Sequence, residues 1–156
     1  MTIDEGPIDV RALTRRLRMH PYTGAVTNIS VRATVGASPA DVYATLLNAE
    51  RHATVTGRSV HITPTVGTAV SLSDESINGY ITELLDSRHI VLALCFADER
   101  WPAEHYSTLT FMLKPDGAGS TLVIFEQDVP EELAAEITST WQREYVDTLT
   151  SAFPPA

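Results

Sequence analysis

Residues 28–47 read NISVRATVGASPADVYATLL, and the fold turns on them. Ile29, Val31, Ala33 and Val35 alternate with polar neighbours, the two-residue period of a strand with one buried face. Ser38-Pro39-Ala40-Asp41 then opens a helix. Serine suits the N-cap, proline the first helical position, and Asp41 the third position of a capping box. Val42, Tyr43, Leu46 and Leu47 form its buried stripe. Asn48 interrupts it, and a second short helix is expected to about Ala53.

Downstream the pattern is strands, then one helix. Residues 68–73 precede a polar turn, Asp74-Glu75-Ser76. Residues 77–85 and 89–97 flank the short loop Asp86-Ser87-Arg88. Both faces of 89–97 are apolar, with Ile90, Leu92, Leu94 and Phe96 on one side. A loop over 98–105 carries Trp101-Pro102, and strands over 106–114 and 120–128 flank the turn Pro115–Gly119. Pro130 begins a long helix with Glu131 and Glu132 at its positive end. Its apolar stripe is Leu133, Ile137, Trp141, Tyr145 and Leu149, and Pro154-Pro155 stop it after about Phe153. Segregated strands and helices make this an α+β protein. A curved antiparallel sheet wrapped on a long helix leaves a cavity between them, the default ligand site.

Length and charge narrow the function. The 156 residues make one domain, split here into a leader, 1–27, with a short amphipathic helix over 9–19, and a folded unit, 28–156. The leader is read as a solvated arm, with a lid or docking segment as the alternative. The net charge of -9 argues against nucleic acid or an anionic membrane as partner. Residues 126–147 hold seven acids and only Arg143, so the acidity gathers at the last strand end and on the long helix. A lone cysteine, Cys95, permits no internal disulfide and reads as an inert buried thiol. The opening residues lack the apolar core of a signal peptide, and the expected setting is the cytoplasm.

No nucleophile elbow, phosphate loop, dinucleotide fingerprint or paired-histidine metal motif occurs. The five histidines are scattered and read as surface or locally bonded, with His105, near Trp101 and Tyr106, the one to watch. Glu126 shares strand parity with Leu122 and Ile124, so it points inward if they do. Burial would raise its pKa and suit it to acid–base work, but the strand end reads more simply as solvated.

In this order of elements, specific residues resemble a known family. They are Ala37–Tyr43, Val55-Thr56-Gly57, Gly79–Leu84, Trp101-Pro102, Ser107, Gly119–Leu122, Val129-Pro130, and Trp141 with Tyr145 and Leu149. The segment from Ile29 to about Phe153 resembles the prokaryotic relatives of the activator of the ninety-kilodalton heat-shock protein's ATPase (the AHSA type). That family belongs to the START-like, birch-pollen-allergen-like (SRPBCC) superfamily. The resemblance implies the helix-grip fold. Two positions depart from the family pattern: Thr140 replaces a common glycine, and no tryptophan stands near Thr54 and Val55.

The resemblance implies binding of an apolar or amphipathic molecule, such as a lipid, polyketide or antibiotic. Drug sequestration is a natural form of it, and ten arginines against one lysine suit a GC-rich bacterial genome of the antibiotic-producing sort. The expected lining is Ile81, Leu92, Leu94, Phe96, Trp101, Phe111, Leu113, Leu122, Ile124, Trp141 and Tyr145. No catalytic residue, metal or cofactor is assigned, and the protein is expected as a monomer or homodimer. One alternative is a polyketide cyclase, aromatase or hydrolase using Glu126, Tyr80, His105 or Tyr145. Another is a co-chaperone-like interaction module meeting its partner through the acidic helix. The resemblance implies an extra N-terminal domain in the eukaryotic activators; none is expected here, which counts against this alternative.

Overall fold

The computed structural model describes residues 9–12 and 22–155. The helix expected over 9–19 lies outside the described residues except for 9–12, of which 10–12 are helical. Among the described residues six strands form one antiparallel sheet: β1 (Val26–Val35), β2 (Ala69–Leu72), β3 (Ile77–Leu85), β4 (His89–Phe96), β5 (Ser107–Asp116) and β6 (Gly119–Pro130). Their spatial order is β1-β6-β5-β4-β3-β2, so β1 and β2 lie at opposite edges. Helices α1 (Pro39–Leu47) and α2 (Ala49–Thr56) fall between these strands in the chain.

The caps behave as the residue types require. The Ser38 hydroxyl accepts from the Asp41 amide, with Pro39 in the first turn. Asn48 ends α1 and its side chain caps α2 by accepting from the Arg51 amide. The second helix runs three residues beyond Ala53, because its stop is Gly57, which takes the left-handed conformation at φ 72°. At Gly79 on β3 a side-chain carbon would stand 1.8 Å from the Ala93 carbonyl oxygen. Backbone cannot yield there cheaply, so Gly79→Ala is expected to cost about 2 kcal/mol in urea unfolding.

The long helix departs from expectation in one respect. Helix α3 comprises a 3-10 turn (Glu131–Leu133), an α-helical stretch (Ala134–Trp141), a π-helical turn (Gln142–Val146) and a final α-helical stretch (Asp147–Ala152). Its buried stripe repeats every four residues. At 3.6 residues per turn such a stripe drifts by about 40° per repeat and would wind off the core. The wider π turn between Trp141 and Tyr145 takes up that drift, and all five stripe residues are buried. The α3 backbone packs against β1 and β6. Among the described residues no helix is long and apolar enough to cross a membrane.

Candidate ligand-binding site

Apart from Trp101, on the loop between β4 and β5, the sequence-derived lining residues fall on the inner face of the sheet and the facing side of α3. Ile81, Leu92, Leu94, Phe111, Leu113, Leu122, Ile124, Trp141 and Tyr145 are all in the buried core, with no more than 5% of their surface accessible. The inferred strand parity is correct. These side chains also fill the space between them, since so little of their surface could face a water-sized void. Trp141 stands edge-on to Phe111, ring centroids 6.2 Å apart, and to Phe96, 6.3 Å apart; it is 5.1 Å from Tyr145. Trp101 is half-buried, 5.0 Å from Phe96, and its indole N–H donates to the His105 carbonyl.

A carboxyl and an imidazole are sealed into this interior. Glu126 is wholly buried, contrary to its reading as a solvated strand end. β6 runs on to Pro130, so Glu126 sits inside the strand, opposite Leu109 and Ile29. Its Oε1 accepts from the Trp141 indole N–H at 2.7 Å, and Oε2 lies 2.5 Å from the Ser107 hydroxyl. Burial raises its pKa to about 7, although both hydrogen bonds favour the ion. The neutral form fits the same geometry. A proton on Oε2 donates to Ser107 Oγ, which in turn donates to the Leu94 carbonyl 3.4 Å away.

His52 is the second. It is buried, its Nδ1 lies 2.8 Å from the Leu46 carbonyl and its Nε2 2.6 Å from the Tyr145 hydroxyl. Nδ1 therefore carries the proton and donates, while Nε2 accepts from the phenol. Burial lowers the His52 pKa to about 4 and raises that of Tyr145.

An opening to solvent lies beside this packed centre, where α3 faces the β2–β3–β4 side of the sheet. It encloses about 150 Å³. Ile77, Phe96, Leu133 and Ile137 give it apolar walls, and Ser73, Ser76, Asp98, Glu136, Thr140 and Glu144 give it polar ones. Two contacts tie the sheet's loops to α3 beside it. The Ser73 hydroxyl donates to Glu144 at 2.5 Å from the β2–β3 turn, and Arg100 on the β4–β5 loop bonds both oxygens of Glu136. Hydrogen bonds from the Arg100 guanidinium hold Glu136 and Asp98 below the usual carboxylate range.

Residues 36–153 match the family model described as activator of Hsp90 ATPase homolog 1-like protein. The chain belongs to this AHSA1 family. It is 22% identical over 125 residues to the human activator of 90 kDa heat shock protein ATPase homolog 1, covering 80% of this chain and 36% of the human protein. The chain thus spans about a third of that relative's length. An HSP90 activator from Plasmodium falciparum has the same fold, with a TM-score of 0.72 at 18% identity over 83% of this chain and 99% of that one. A protein in the dynemicin biosynthetic locus also shares it, with a TM-score of 0.67 at 13% identity over 80% of this chain and 46% of that one. The expected helix-grip architecture, an α+β sheet gripping a C-terminal helix, is the architecture observed.

Within this AHSA1 chain, Phe96 is the one predicted lining residue that also walls the cleft. Of the other cleft residues, Leu133 and Ile137 belong to the α3 stripe and Ile77 to β3, while the polar ones stand on turns, a loop and the flank of α3, which hydrophobic periodicity does not mark. Thr140, the departure from the family glycine, stands on the cleft wall. Of the groups considered for catalysis, Tyr145 and Glu126 are enclosed. Tyr80 lies on β3 in the alternate set from the buried Ile77, Gly79 and Ile81, and His105 sits on a loop against the Asp128 carbonyl at 2.6 Å. His52, read as surface or locally bonded, does bond locally to the Leu46 carbonyl, but it lies in the core because α2 turns that face onto α3. Cys95 is partly exposed rather than fully buried, and desolvation raises its thiol pKa. Among the described residues no group of three or more potential ligands could hold a metal ion.

Proposed function

We propose that this AHSA1-family chain binds a small amphipathic molecule in the cleft between α3 and the β2–β3–β4 side of the sheet. The observation that carries this reading is an apolar-walled opening at Phe96, whose ring leads directly to Trp141 and the aromatic centre. A volume of 150 Å³ suits a single ring or a short chain, with the polar end left at the rim. Sequestration of a biosynthetic product is the finer form of this reading, and the shared fold of a dynemicin-locus protein supports it. Binding is favoured over catalysis because Glu126 and Tyr145 are bonded to Trp141, Ser107 and His52 rather than aimed into the cleft.

Titration with benzyl alcohol is expected to change the tryptophan fluorescence saturably. Thr140→Phe, which plugs the cleft from its wall, should weaken that binding by about tenfold. Unaltered binding to the plugged variant would contradict the reading.

A co-chaperone role is a second reading, supported by the match along 99% of the Plasmodium HSP90 activator. The purified chain would then raise the ATPase rate of a ninety-kilodalton chaperone in a coupled assay. An unchanged rate at saturating chain counts against it.

A further inference from the structure

We propose that the cleft selects an organic cation, an apolar ring or chain bearing a protonated amine seated beside Glu144. This rests on the cleft being a binding site, and it adds the charge class of the ligand. Three carboxylates, Asp98, Glu136 and Glu144, stand on the cleft wall. Arg100 is the cation that meets them, bonded to Asp98 and Glu136. Three negative charges against one positive leave the rim with a net charge of -2.

That balance is uneven in space. Arg100 directs Nε and both terminal nitrogens at its two partners in four hydrogen bonds, so one of its five N–H groups remains for an incoming anion. Glu144 is different. It is half-buried, its Oε1 accepts from the Ser73 hydroxyl, and among the described residues it forms no ion pair with a basic side chain. A carboxylate held in place by a neutral donor, beside apolar walls, lacks the one partner that an ammonium group supplies. The protein's net charge of -9 draws cations toward it and repels anions.

The test compares three probes of one shape, benzylammonium, benzyl alcohol and benzoate. Their dissociation constants are measured at low ionic strength by amide chemical shifts. Benzylammonium is expected to bind about tenfold tighter than the alcohol, and benzoate more weakly than either. Glu144→Gln keeps an acceptor for Ser73, and a thermal melt checks that it folds. It should bring benzylammonium within about twofold of the alcohol, as should about 0.3 M salt. Equal binding of cation and alcohol at the cleft would overturn charge selection while leaving the cleft reading intact. No binding of any probe at the cleft would overturn both. A cation preference that survives Glu144→Gln would show general surface attraction and overturn the assignment of Glu144.

Discussion

Glu126→Gln is expected to match the wild type in stability at about pH 4 and to exceed it by roughly 3 kcal/mol at about pH 8. Burial gives Glu126 a folded pKa of about 7 against a model value of 4.5. Between these values the folded protein holds a proton that the unfolded chain has lost. The contribution of the neutral acid is therefore fully present below the unfolded pKa and is lost as pH rises through the folded one. Glutamine reproduces the neutral acid, with its oxygen accepting from Trp141 and its amide donating to Ser107. Urea unfolding of both proteins across this range measures the difference. Equal stability at about pH 8 would show that Glu126 is not held protonated by its surroundings.

His52 has the opposite signature. Its folded pKa is about 4 against 6.5, so it stays neutral in the folded state while the unfolded chain takes up a proton. The stability this confers is present above the unfolded value and is lost as pH falls toward the folded one, roughly 3 kcal/mol in all. Over the range they share, His52 and Glu126 oppose each other, so their contributions flatten the wild-type profile there. His52→Gln should expose the Glu126 slope, and its stability should fall with rising pH through this window. At neutral pH, Tyr145→Phe is expected to cost about 1–3 kcal/mol, because it leaves the buried Nε2 without a donor. An imidazole that NMR shows titrating near its ordinary value in the folded protein would contradict this account.

The periodic features of this chain are legible in its sequence. The alternation of β4 and β5 placed Leu92, Leu94, Phe111 and Leu113 on one face, and the core confirms that face. Serine, proline and asparagine announced the first two helices because capping is local chemistry. The four-residue stripe of α3 carried the π turn in its spacing, legible only once its angular drift is considered. Parity puts Glu126 on the inner face, but its burial depends on Ser107 of β5 and Trp141 of α3, 19 and 15 residues away in the chain, meeting its carboxylate there. The His52–Tyr145 bond spans 93 residues and has no local signal at all. The cleft is the least legible feature. Asp98, Thr140 and Glu144 meet there only because α3 packs on β1 and β6 and leaves its flank facing the far side of the sheet.

The most direct test of that cleft is a titration of the isotopically labelled chain with benzyl alcohol, followed at every assigned amide and methyl group. The account predicts saturable shifts with one common dissociation constant at Ile77, Phe96, Leu133, Ile137 and Thr140, the residues that wall the opening. Absence of saturation there, or shifts confined to the groove between the β3–β4 and β5–β6 hairpins around Leu85 and Lys114, would contradict it.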